Sequence, residues 1–256
     1  MIIKEQFPIS IYGGAKRTLH IYVPDSLQEG QRCGVIYMYD GHNLFDDEDA
    51  TYGTSWGLKE YLDETEIPVI IVGLECNHKG NKRLCEFSPY SFKDKTWGEI
   101  RASGKSLTRW IIKELKPYID AKYPTIPDRE HTAIGGSSMG GLMALYGGVR
   151  MSQYISRAIC ISPYHSHMMS RLIKDCQRDI WPDTQFYISW GGNECASKLA
   201  LATYSESNLR IGRELMKKAE VYLHLYPEQD HSEASWSHET DIWMTELGIK
   251  HWGIQE

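Results

Sequence analysis

The 256-residue chain contains no run of eighteen apolar residues, which excludes a membrane-spanning helix recognisable from sequence. It also lacks a long basic stretch, and its formal net charge is −6. Neither feature suits a nucleic-acid or anionic-membrane partner. There is no internal repeat, low-complexity tract or Pro/Ser-rich linker, so residues 1–256 are expected to form a single domain. Met1–Ser10 alternates charged and apolar residues, without the basic start and hydrophobic run of a secretory leader. The six cysteines (33, 76, 85, 160, 176 and 195) are scattered, with no C-x-x-C pair. Several lie in apolar stretches, where Cys acts as a small hydrophobe. Reduced cysteines in a cytoplasmic protein are therefore expected.

What is present is an alternation of two patterns. An opening hairpin is predicted from Ile9–Tyr12, a Gly13-Gly14 turn and Leu19–Val23. Short apolar runs follow at 35–39, 68–74, 132–134, 158–161, 185–189 and 221–226. Their length and Ile/Val content suit strands buried on both faces. Between them, Leu107, Ile111, Leu115 and Ile119 recur at helical spacing, with Pro117 predicting a kink or restart. Helices are also predicted at 142–146, 209–216 and 236–252. Strands alternating with helices give an α/β fold: a mostly parallel central sheet, an N-terminal antiparallel hairpin and helices on both faces. Ligands bind such sheets at the carboxyl ends of strands.

One loop of that kind reads Gly135-Gly-Ser-Ser-Met-Gly-Gly141 between a strand and a helix. Only Gly136, Ser138 and Gly140 satisfy G-x-S-x-G, because Ser137 would need a glycine where Met139 stands. The spacing places a nucleophile on a strained turn with a helix N-terminus beside it. A phosphate loop fits less well, since no Gly-Lys-Ser/Thr follows. In the order Ser, acid, His, the base candidate is His231, on a loop between the last strand and a helix. His238 is its rival; His224 falls within the strand pattern. Glu194 is the only carboxylate in the loop after the 185–189 strand and is the candidate acid. A Ser-His dyad is the alternative. The backbone N–H groups of Met139 and His42 are the candidate oxyanion donors, with Gly41 permitting the turn that aims the latter.

The ordered set is more specific than any one motif. It comprises residues 37–45 (Tyr-Met-Tyr-Asp-Gly-His-Asn-Leu-Phe), Gly53-Thr-Ser-Trp56, and Arg83 with Glu86-Phe-Ser-Pro89. Leu115-Lys-Pro-Tyr-Ile-Asp120, the serine loop and His231-Ser-Glu-Ala-Ser-Trp236 complete it. Over nearly its whole length the chain resembles the esterase D-like family of α/β-hydrolases. That group includes feruloyl and acetyl-xylan esterases, S-formylglutathione hydrolases, siderophore esterases and mycolyltransferases. The resemblance implies the triad order, the Met139 and His42 amides, and ester hydrolysis without a cofactor or metal. One departure is Ser189, where many relatives carry an Asp.

Trp56, Trp190, Trp236 and His165 are expected to line the pocket, and Arg83 to contact anionic groups on a substrate. The run Asp46-Asp-Glu-Asp49 reads as a solvated charge cluster, lacking EF-hand spacing. His165-Ser-His167 has no third ligand at recognisable metal spacing. The leading expectation is a serine esterase acting on small esters, acetyl or feruloyl esters of carbohydrates among them. A siderophore trilactone esterase, an acyltransferase and a non-catalytic binding protein are the alternatives. Oligomeric state is not legible.

Overall fold

The computed structural model describes residues 1–253. Its sheet has eight strands: β1 (Ile2–Ile9), β2 (Ala15–Tyr22), β3 (Gly34–Tyr39), β4 (Val69–Leu74), β7 (Thr132–Ser137), β8 (Arg157–Ile161), β9 (Gln185–Gly191) and β10 (Glu220–Tyr226). Their spatial order is β1-β2-β4-β3-β7-β8-β9-β10. β1 and β2 pair antiparallel, as do β2 and β4; every other pairing is parallel. A small hairpin, β5 (Phe92–Asp94) with β6 (Gly98–Ile100), stands apart. Among the described residues no helix is long and apolar enough to cross a membrane.

The strands sort side chains by the period of two that pleating imposes. In β3, Val35, Tyr37 and Tyr39 join one core while Ile36 and Met38 join the other. The first core is covered by α3 (Gly104–Trp110), α4 (Lys116–Lys122), α5 (Met139–Arg150), α6 (Met169–Cys176) and α7 (Lys198–Leu215). The second is covered by α1 (Leu58–Thr65), α8 (Glu233–Ser237) and α9 (Thr240–Glu246). A short α2 (Lys82–Glu86) follows β4. The expected α/β-hydrolase architecture is therefore present.

At Pro117 the expected restart is present: a π-turn at Ile111–Leu115 separates α3 from α4 and places the proline in the first turn of α4, where its missing N–H costs little. Three local readings need correction. The first hairpin strand is Ile2–Ile9; Ser10–Tyr12 forms a 3₁₀ turn leading into the two glycines. The C-terminal helical pattern is split into α8, α9 and a 3₁₀ turn at Ile249–His251. Finally, β10 is an edge strand that is only half-buried, so the two-sided burial read from its sequence does not hold there.

The topology singles out one crevice. From β3 the chain moves outward to β4 and later returns to lay β7 on the opposite side of β3. This is a switch point, where loops leave the carboxyl ends of neighbouring strands in opposite directions. The loops after β3 and β7 carry residues 40–45 and Ser138.

Candidate active site

Ser138 sits between the last residue of β7 and the first of α5 with φ 55° and ψ −118°. A non-glycine residue in this left-handed region is strained and persists only where its surroundings hold it. Here Ser138 N–H donates to the Ile161 carbonyl (2.9 Å), and its own carbonyl accepts from Tyr164 N–H (3.0 Å) and Leu142 N–H (3.0 Å). The glycines of the motif have a packing reason. A Cβ on Gly136 would come within 2.9 Å of the Gly140 backbone, and one on Gly140 within 2.9 Å of Tyr39 Cβ. Met139 opens α5, so its N–H has no intrahelical acceptor.

Glu194 follows β9 and is almost wholly buried, at 3% side-chain exposure. Its Oε2 meets His231 Nδ1 at 2.9 Å. Its Oε1 accepts from Ser162 Oγ (2.5 Å) and Gly191 N–H (2.5 Å). Trp236 Nε1–H donates to the same Ser162 Oγ (3.0 Å), and the Trp236 ring stands edge-on to His231, with 5.0 Å between centroids. The imidazole is partly exposed, so its orientation comes from these contacts. No hydrogen bond links His231 to Ser138 in this conformation, but both line one cleft of about 370 Å³. Asp230 does not serve the imidazole. It accepts from Ser232 Oγ (2.5 Å) and Ser235 Oγ (2.7 Å), and these bonds hold its carboxyl below the usual range. His224 pairs with Glu246 (2.8 Å) on β10 and lies half-buried, whereas His238 caps α8.

The opposite wall is the loop after β3. Asp40 takes the left-handed conformation there (φ 56°). Arg83 grips it with two bonds, Nε to Oδ1 (2.8 Å) and Nη2 to Oδ2 (2.6 Å). Burial opposes charge on Asp40, but the guanidinium outweighs it and leaves the carboxyl below its ordinary range. Gly41 is required for a different reason from the one read in the sequence. Its φ is not positive, but a Cβ there would lie 2.3 Å from the Gly73 backbone in β4. His42 is the middle residue of the 3₁₀ turn Gly41–Asn43. Asn43 ties the two walls together: Nδ2 donates to Glu233 Oε1 (2.8 Å), and Oδ1 accepts from Thr51 N–H (2.9 Å). Sequence reasoning missed Asn43 and Glu233, although both stand inside quoted motifs.

The cleft gathers Ser138, His42, Arg83, His231 and Trp236, together with Tyr52. Three expected pocket residues lie elsewhere. Trp190 is buried in β9 with Nε1–H on Ser205 Oγ (2.8 Å). Trp56 is buried against Trp236, centroids 6.0 Å apart, without lining the cleft. His165 is buried on Asn208 Oδ1 (3.0 Å), and burial pushes its pKa down to about 4. His167 instead meets Asp94 Oδ2 (2.9 Å), so the His165-Ser-His167 segment brings no metal pair together.

A comparison with curated protein sequences gave no match. Similar folds occur in an IroE-like serine hydrolase from Shewanella oneidensis (TM-score 0.74, 19% identity, covering 98% of this chain and 79% of that one). The enterobactin esterase of Shigella flexneri has a TM-score of 0.71 at 13% identity; the match covers 96% of this chain but 59% of that longer one. An S-formylglutathione hydrolase from Staphylococcus aureus has a TM-score of 0.64 at 12% identity, covering 96% and 98%. At such identities these likenesses establish the α/β-hydrolase fold alone. The family model described as "Putative esterase" matches residues 10–241, a span holding both walls of the cleft and every triad candidate. The chain thus belongs to the Esterase family, whose chemistry is carboxylic ester hydrolysis.

Proposed function

We propose that the chain is a serine esterase that cleaves small carboxylic esters through an acyl-enzyme on Ser138. The observation that carries this reading is the buried Glu194 carboxylate on His231 Nδ1 at 2.9 Å, with Ser138 on its strained turn in the same cleft. A carboxylate at Nδ1 holds the proton there and leaves Nε2 as the base. A side-chain rotation brings Nε2 to the serine. Ser138 Oγ then attacks the ester carbonyl carbon as its proton passes to His231. The resulting oxyanion is received by the Met139 and His42 backbone N–H groups. As the C–O bond to the alcohol breaks, His231 returns the proton to the leaving oxygen. Water, activated by the same imidazole, then releases the acid and restores Ser138.

The cleft supports a small substrate. Of the three tryptophans read as aromatic walls only Trp236 reaches it, which favours a short acyl group such as acetyl over a bulky aromatic one. A siderophore trilactone is the second reading, supported by the similarity to the enterobactin esterase. Arg83 is the cation available to an anionic substrate, although two of its donors are engaged by Asp40. Hydrolysis of nitrophenyl acetate by wild type and Ser138→Ala tests the mechanism: equal rates would sink it. A panel varying acyl chain and alcohol separately separates the two substrate readings, since activity confined to trilactones would remove the first.

A further inference from the structure

His42, Cys76 and His78 place one donor atom each within 4.8 Å of one another on the oxyanion side of the cleft. None of the three side chains has a part in the proposed chemistry, which uses only the backbone of His42. Their surroundings are those of ligands already oriented. His42 Nε2 is held by Thr51 Oγ1 (2.9 Å), while Nδ1 of this 5%-exposed residue is buried without a hydrogen-bond partner among the described residues. His78 Nε2 meets Glu75 Oε1 at 2.7 Å, and its Nδ1 faces Cys76 Sγ at 3.8 Å. The two rings stand edge to face, 4.7 Å between centroids. Metal-binding imidazoles generally donate their other N–H to such an oxygen, which fixes the tautomer and leaves the free nitrogen for the ion.

We propose that His42 Nδ1, Cys76 Sγ and His78 Nδ1 form a binding site for zinc or a similar soft transition-metal cation, and that its occupation blocks the cleft. Two imidazoles and a thiolate suit that class of ion, and three protein ligands leave a fourth position open. Tetrahedral zinc needs its donors about 3.5 Å apart, so side-chain rotations of about 1 Å would close the set. Binding displaces the Cys76 thiol proton to solvent as the sulfur–metal bond forms. An ion bonded to the His42 side chain would lie beside the amide assigned to the oxyanion and compete for the ester carbonyl. That inhibitory part rests on the esterase reading; the binding part does not.

The test adds cobalt(II), then zinc(II), to wild type, Cys76→Ala and His78→Gln. One equivalent of cobalt should give tetrahedral visible bands and a near-ultraviolet sulfur-to-cobalt band in wild type, and both variants should lose the latter. His78 is exposed, so its variant keeps the test informative if removing buried Cys76 harms folding. One equivalent of zinc should lower wild-type nitrophenyl acetate hydrolysis at least tenfold, reversibly with a chelator, and leave His78→Gln unaffected. Absence of the sulfur band, or its persistence in His78→Gln, would overturn the site. The full sulfur band without loss of hydrolysis would overturn the inhibition. Hydrolysis surviving in Ser138→Ala would instead overturn the esterase reading and leave the metal site standing.

Discussion

The two walls of the cleft are organised by opposite means. On one, a buried carboxylate, Glu194, steers a partly exposed side chain, His231, through a single bond to the ring. On the other, the Asp40–Arg83 pair and the Gly41–Gly73 contact fix a stretch of backbone, and the group we propose for the oxyanion is an amide. A base must rotate and change charge during turnover, whereas an oxyanion donor has only to stay where it is. Asn43, reaching from the second wall to Glu233 beside the first, sets the spacing between them.

Substitutions that break each wall should differ in kind. The largest effect belongs to the residue between them: Ser138→Ala should lower kcat by about 10⁴-fold or more with little change in stability, as steady-state kinetics and thermal melts would show. Glu194→Gln should lower kcat by about 10²–10⁴, because an amide can present N–H to Nδ1 and favour the wrong tautomer. KM should barely move. Arg83→Met attacks the backbone wall. It leaves Asp40 buried and unpaired, so we expect a loss of about 1–3 kcal/mol, moderated because Arg83 reaches solvent, with kcat down about tenfold to 10². Unchanged stability would show that the ion pair does not hold the loop. Asn43→Ala should cost about 1–2 kcal/mol and a smaller share of kcat, and urea melts beside kinetics would measure both.

A pH effect on stability sharpens the contrast between buried carboxylates. Glu239 accepts from Tyr187 O–H (3.0 Å) but has no cationic partner among the described residues, and burial pushes it up to about 7 from 4.5. A pKa raised on folding means that stability is complete below about pH 4.5 and falls as pH rises towards 7. Glu239→Gln should therefore raise the melting temperature at pH 8 and lose that advantage near pH 4.5.

Much of this arrangement was legible because the motifs encode contacts. The G-x-S-x-G register is written in packing: Gly136 against Gly140, and Gly140 against Tyr39. Glu194 and His231 could be named from their places after strands, and the structure brings them together. Burial of loop aromatics could not be read, since Trp190 and Trp236 look alike in sequence. One lies in a strand under α7, the other at the cleft. The first strand was missed for a related reason. The alternation in Met1–Ser10 is what a half-exposed strand shows, and β1 has that burial pattern. The His42–Cys76–His78 cluster joins loops after β3 and β4, so only tertiary structure reveals it.

The central claim is that Ser138 is the nucleophile and His231, held by Glu194, its base. The most direct measurement is fluorophosphonate labelling followed by peptide mass spectrometry, on wild type, Ser138→Ala and Glu194→Gln. The account predicts one adduct, on Ser138, absent in Ser138→Ala and formed far more slowly in Glu194→Gln. An adduct on Ser137 or elsewhere, or labelling of Ser138 at the wild-type rate in Glu194→Gln, would contradict it.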